Sequence, residues 1–103
     1  MLPGIKLFDL TDRPAIVTGG SKGLGKAMAA GLASAGADVL LTSRHAAEAE
    51  QAARSITSDH KRRAVGIAAD VTQAADVDAM IDRAIQEFGK IDILINNAGI
   101  NIR

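Results

Sequence analysis

Residues 18–25 read Thr18-Gly19-Gly20-Ser21-Lys22-Gly23-Leu24-Gly25, a glycine loop between a short apolar run and a helical pattern. Glycines there permit positive φ in a tight turn and let the backbone approach a bound anion closely. A helix opening at about Gly23 would add unpaired N–H groups and the positive end of its dipole. The chemistry this predicts is phosphate binding. A glycine-rich turn without a ligand is the plainer alternative, and the position between strand and helix weighs against it. Two kinds of ligand then compete. The spacing Gly19-x-x-x-Gly23-x-Gly25 suits a dinucleotide, although it differs from the commoner G-x-G-x-x-G. Gly20 to Lys26 also matches the G-x-x-x-x-G-K loop of nucleoside triphosphate binders, with Asp70 ending the third apolar run where a Walker B carboxylate would sit. That P-loop-like reading is weakened by Ala27, which stands where a Ser or Thr hydroxyl would hold Mg²⁺. Lys26 is then read as a solvated lysine in the first turn of a helix.

The end of the following apolar run selects among dinucleotides. An acidic residue there, about 20 positions past the loop, binds the ribose 2′-OH of NAD and repels the 2′-phosphate of NADP. Here the site reads Thr42-Ser43-Arg44-His45, with no carboxylate until Glu48. The Arg44 guanidinium offers a fork of donors suited to a phosphate. Lys22 lies in the glycine loop, on the side where that phosphate would sit. Either cation alone could be an ordinary surface residue. Both together, with the acid missing, favour NADP over NAD. His45 and His60 have no identifiable partners and are expected to face solvent.

Four short apolar runs must position these residues: Ala15 to Thr18, Val39 to Thr42, Ala64 to Ala69 and Ile91 to Ile95. Several are continuously apolar, as strands covered on both faces of a parallel sheet are. Helical patterns lie between them. Leu24, Met28, Leu32 and Ala35 recur at helical spacing, and Gly36 is placed for a left-handed cap. A second helix, over about His45 to Ser58, offers Ala49, Ala52, Ala53 and Ile56 as a shallow stripe. A third gathers Val77, Met80, Ile81, Ala84, Ile85 and Phe88 on one face, with Thr72 to cap its start and Gly89 its end. Strand–helix–strand units with right-handed crossovers predict an α/β fold, a doubly wound parallel sheet of the Rossmann type.

The 103 residues give room for one small domain. Twelve basic and 12 acidic residues cancel, so no charge excess points to nucleic acid or an anionic membrane. Much of the 48% apolar fraction is Ala, and Phe8 and Phe88 are the only aromatics, so core contacts are numerous and small. The absence of Cys excludes disulfides, thiolate metal sites and a Cys nucleophile. Residues 1–10 lack the apolar run of a signal peptide, and no later stretch is long enough to span a bilayer. The expectation is a soluble cytoplasmic protein with no nucleic-acid, membrane or metal partner.

Three motifs in register resemble the short-chain dehydrogenase/reductase family: Thr18-Gly19-x-x-x-Gly23-x-Gly25, then Asp70-Val71, then Asn96-Asn97-Ala98-Gly99. Their order and spacing cover nearly the whole chain. The resemblance implies that Gly19, Gly20, Ser21, Lys22, Gly23 and Leu24 wrap the cofactor's phosphates and adenosine ribose through backbone N–H groups. Ser21 and Lys22 would add side-chain contacts, and Ser43 and Arg44 would select the 2′-phosphate. Asp70 would bond the adenine amino group, with Val71 completing the adenine slot. Asn97, Ala98 and Gly99 would pass beside the cofactor's ribose, and Asn96 would help lock the fourth strand. The implied reaction is hydride transfer between NADP(H) and a small-molecule carbonyl or alcohol. Within the family, the opening Leu7-Phe8-Asp9-Leu10-Thr11 and the ending Asn96 to Arg103 are most similar to gluconate 5-dehydrogenase and its sugar-acid relatives. The 3-oxoacyl-carrier-protein reductases come next.

The family's catalytic Ser and Tyr-x-x-x-Lys belong to a second half, in which Tyr is the general acid/base. This chain has no Tyr, and Ser21, Ser43, Ser55 and Ser58 all stand in the cofactor half, so no catalytic residue is assigned. The resemblance implies that residues 1–103 are the cofactor-binding half of a single Rossmann domain, truncated after the fourth strand. Alone, such a fragment is expected to be inactive, marginal in stability and prone to associate through the open edge of Ile93, Leu94 and Ile95. A freestanding nucleotide-binding module without catalysis is the alternative. The full-length form is implied to be a homo-oligomer.

Overall fold

Successive strand residues point to opposite faces of a sheet, so a continuously apolar strand feeds two cores at once. The computed structural model describes residues 9–97. Four strands, β1 (Ala15–Thr18), β2 (Val39–Ser43), β3 (Ala64–Ala68) and β4 (Ile93–Asn96), alternate with three helices, α1 (Gly23–Ser34), α2 (Ala46–His60) and α3 (Ala74–Phe88). All pairings are parallel, in the order β3-β2-β1-β4, with Ala15 opposite both Val39 and Ile93. The chain walks from β1 out to β3, then returns across β1 to β4. Right-handed crossovers in opposite directions put helices on opposite faces.

The two cores follow that division. Val17, Val39 and Leu41 pack against Ala29 and Ala33 of α1 and Ala49, Ala52, Ala53 and Ile56 of α2. Ile16 and Leu40 pack against Met80 and Ala84 of α3. Leu40 and Leu41, adjacent in sequence, are both fully buried on opposite faces. Each contributes about 1.5–3 kcal/mol on transfer from water. β1 and β2 are buried throughout, while β3 and β4, the sheet's edges among the described residues, are partly covered. Leu94 of β4 is 62% exposed, and Ile85 of α3 is 45% exposed.

Several expectations shift. In α1 the large residues do not form the buried face: Leu24 is 66% exposed, and Gly25, Ala29 and Ala33 are buried instead. Small side chains at i, i+4 and i+8 let this helix lie close on the sheet, where Leu or Met would hold it off. The α2 stripe is buried as read, but the helix runs to His60, and Lys61 closes it at φ 54°. His45 precedes that helix and is exposed, whereas His60 is half-buried. Thr72 does not cap α3; Gln73 holds the cap position and makes no side-chain cap bond. Gly36 and Gly89 do take the expected positive φ, 109° and 84°. β4 begins two residues later than expected, after the Asp92 and Ile93 N–H groups both reach the Pro14 carbonyl at 3.0 and 3.2 Å. Among the described residues, no helix is long and apolar enough to cross a membrane, and no cluster of His, Cys, Asp and Glu could hold a metal.

Candidate cofactor-binding site

Parallel strands deliver their C-terminal ends to one side of the sheet, and the order reverses at β1, which pairs with both β2 and β4. Ligands of open α/β sheets bind in the crevice at such a point. The glycine loop leaves β1 there. Gly19 at φ 65° and Gly23 at φ 56° adopt the left-handed conformation that side chains disfavour. The first two loop donors turn inward: Gly19 N–H reaches Thr42 Oγ1 at 3.3 Å, and Gly20 N–H donates to the Thr42 carbonyl at 2.9 Å. From the other side, the Asn97 side-chain amide donates to the Gly19 carbonyl at 3.2 Å. Thr18 Oγ1 donates to Asn96 Oδ1 at 2.9 Å. The loop is thereby held to the strands on both sides of β1. A Cβ on Gly25 would stand 2.1 Å from the Gly19 carbonyl oxygen and 2.6 Å from Asn97 Nδ2. Only glycine allows the helix to start this close to the loop.

The later donors remain. No protein acceptor meets the backbone N–H groups of Ser21, Lys22, Gly23 or Leu24 among the described residues. The helix start has no side-chain cap and no acidic residue in its first turn. Four N–H groups without a protein acceptor at a positive dipole end are suited to a pyrophosphate. Within the loop, Gly19 and Gly20 shape the turn, and the four residues after them keep N–H groups that no protein group among the described residues accepts.

At the β2 end, Arg44 is exposed and forms no ion pair or hydrogen bond among the described residues. Its neighbours are occupied. Glu48, in the first turn of α2, pairs with Lys22 Nζ at 3.1 Å through Oε1 and accepts from Ser43 Oγ at 3.3 Å through Oε2. The Lys22 ammonium bonded to Glu48 holds this carboxyl below its usual pKa. The Ser43 hydroxyl also accepts the His45 N–H at 3.2 Å. Lys22 and Ser43, both read as phosphate contacts, therefore share an acidic partner that spacing along the chain passes over. The signal for it is helical: a residue in the first turn after a strand end can fold back onto that end.

Across β3, the Ala69 N–H donates to the Ser43 carbonyl at 2.8 Å, which carries Asp70 and Val71 to the same side as the loop. Asp70 Oδ1 accepts both the Thr72 N–H at 3.0 Å and Thr72 Oγ1 at 2.6 Å. Asp76, in the first turn of α3, accepts the Asp70 N–H at 2.8 Å. This turn takes the hydroxyl that was expected to cap α3. The Thr72 hydroxyl and N–H bonds hold the Asp70 carboxyl below its usual pKa, with Arg44 adding in the same direction. A carboxyl whose folded pKa is lowered supports the fold fully above its unfolded pKa, and that support fades as pH falls through the lowered value. Thr72→Val removes the hydroxyl donor, so the Asp70 pKa is expected to rise toward the ordinary carboxylate value in an NMR pH titration. An unchanged Asp70 titration would contradict this account of the turn. Ala98 and Gly99, and the parts of the opening and ending motifs within residues 1–8 and 98–103, lie outside the described residues.

Residues 13–103 match the family pattern described as short chain dehydrogenase. The chain belongs to that family. It is 40% identical over 96 residues to 2-dehydro-3-deoxy-D-gluconate 5-dehydrogenase of Escherichia coli, covering 93% of this chain and 37% of that protein. It is 41% identical over 92 residues to the peroxisomal 2,4-dienoyl-CoA reductase of Danio rerio, covering 89% of this chain and 31% of that one. The structure is similar to L-sorbose reductase from Gluconobacter frateurii complexed with NADPH and L-sorbose, with a TM-score of 0.87 at 36% identity, covering 92% of this chain and 36% of the reductase. This short-chain dehydrogenase chain thus spans about a third of the length of the curated relatives it matches. Its four parallel strands and flanking helices make it Rossmann-like, as predicted from the alternation of apolar runs and helical patterns.

Proposed function

We propose that this chain is the NADP(H)-binding portion of an oxidoreductase that transfers hydride between the cofactor and a carbonyl or alcohol group of a small molecule. The observation that carries this reading is the row of N–H groups at Ser21, Lys22, Gly23 and Leu24 that meet no protein acceptor among the described residues, with an exposed Arg44 at the β2 end that forms no ion pair among them. The pyrophosphate lies on the N–H groups, and the Arg44 fork takes the 2′-phosphate. Asp70 accepts from the adenine amino group, and Val71 lines the adenine. Asn97 sets the loop height beside the ribose, with Ala98 and Gly99 continuing past it. The bound nicotinamide nucleotide supplies the hydride; residues of this chain hold and orient it, and none is given a catalytic role.

A sugar acid or related sugar is the proposed substrate class. Two of the similar proteins, a 2-dehydro-3-deoxy-D-gluconate dehydrogenase and an L-sorbose reductase, act on molecules of this kind by their names. The proposal includes a cytoplasmic location and a homo-oligomeric full-length form. Calorimetric titration with NADPH and NADH tests the cofactor assignment. NADPH is expected to bind at least about tenfold more tightly, which is about 1.4 kcal/mol. Equal affinities, or tighter NADH, would contradict it.

A further inference from the structure

We propose that Glu48 sets how strongly this site discriminates NADP(H) from NAD(H), by keeping a carboxylate on the two side chains, Lys22 and Ser43, that face the 2′-phosphate. The inference rests on the cofactor reading above and adds to it the residue that tempers the preference. Glu48 Oε1 lies 3.1 Å from Lys22 Nζ, and Oε2 lies 3.3 Å from Ser43 Oγ. One carboxylate therefore bridges the glycine loop and the end of β2.

A phosphate that bonds to Lys22 or Ser43 must come within a few ångströms of this negative charge or displace it. The two contacts differ in how easily they yield. The Lys22 side chain is 76% exposed, and an exposed ion pair of this kind holds weakly. Ser43 is buried, and its hydroxyl is fixed between Glu48 and the His45 N–H. Lys22 can therefore turn to a phosphate while Ser43 keeps the carboxylate nearby. A cleft of about 350 Å³ opens beside the pair, lined by Ser21, Lys22, Lys26, Glu48, Gln51 and Ser55. Among the described residues that line it, Glu48 is the only acid, so it is the group there that opposes a dianionic phosphate. A nucleotide with a free 2′-OH meets no such repulsion.

The consequence is a site in which Arg44 favours the phosphorylated nucleotide and Glu48 limits the margin. The test compares adenosine 2′,5′-bisphosphate with 5′-AMP, two probes that differ only in the 2′-phosphate, by calorimetry on the wild-type protein and Glu48→Gln. The substitution keeps the side chain's size and removes its charge. The bisphosphate is expected to bind about tenfold more tightly to Glu48→Gln, with 5′-AMP changed less than about twofold, the size expected when one unit charge close to a dianion is removed in water. Glu48→Ala is expected to move the ratio in the same direction, so the result does not depend on one variant's folding. An unchanged or reduced bisphosphate-to-AMP ratio in both variants would overturn the role of Glu48 and leave the cofactor reading intact. If the wild-type protein bound neither probe, the cofactor reading itself would fall, and this proposal with it.

Discussion

Arg44→Asp is expected to reverse the cofactor preference, moving the NADP(H)-to-NAD(H) affinity ratio by roughly a hundredfold or more. Two effects act in the same direction. The substitution removes a charge-assisted bond to the 2′-phosphate, worth about 1.5–3 kcal/mol. It also places a carboxylate where an acid would accept from the ribose 2′-OH and repel the phosphate. Together they amount to about 3 kcal/mol, or about two decades in affinity ratio. The fold is not expected to suffer, because Arg44 is exposed and holds no ion pair among the described residues. Affinities measured for both nucleotides, with a melting curve as control, give the result. A ratio within threefold of wild type would contradict the assignment of Arg44.

Gly25→Ala is expected to weaken binding of both nucleotides together, by about tenfold or more, and to lower the melting temperature. The new methyl group would lie 2.1 Å from the Gly19 carbonyl oxygen, a backbone atom that cannot swing aside. Relief requires α1 to move away from the loop or the Asn97–Gly19 bond to break. Either displaces the N–H groups of Ser21 to Leu24. Overpacking of this kind costs about 1–3 kcal/mol. Gly31→Ala is the matched control, since a Cβ there meets no atom within 4 Å and the position is helical. That variant is expected to be neutral or more stable by about 0.5–1 kcal/mol. If Gly25→Ala bound nucleotide as well as Gly31→Ala did, the close approach would have no functional weight.

The parts of this protein that were legible in its sequence are those in which a local pattern and a tertiary requirement agree. Val39 to Thr42 reads as a doubly covered strand, and it lies buried between two helical layers. Ala49, Ala52, Ala53 and Ile56 read as a stripe and form one. In α1, large residues recur at helical spacing, but side-chain size does not mark the buried face. Where a helix must start against a tight loop, the buried positions are instead the smallest ones, Gly25, Ala29 and Ala33. Thr72 had the composition of a cap, but Asp70 lies two residues away and takes its hydroxyl first. The inward turn of the Gly19 and Gly20 N–H groups depends on Thr42, which is distant along the chain and adjacent only through the parallel pairing of β1 with β2. The pairing of Glu48 is not legible for a related reason: its contacts with Lys22 and Ser43 exist only once α2 folds back on the strand end.

The most direct test follows backbone amide resonances while NADPH is added. The N–H signals of Ser21, Lys22, Gly23 and Leu24 are expected to shift most, as each gains a phosphate acceptor. Those of Gly19 and Gly20, already bonded to Thr42, are expected to move little. Saturable NADPH binding with those four amides unmoved would contradict the claim that they hold the pyrophosphate.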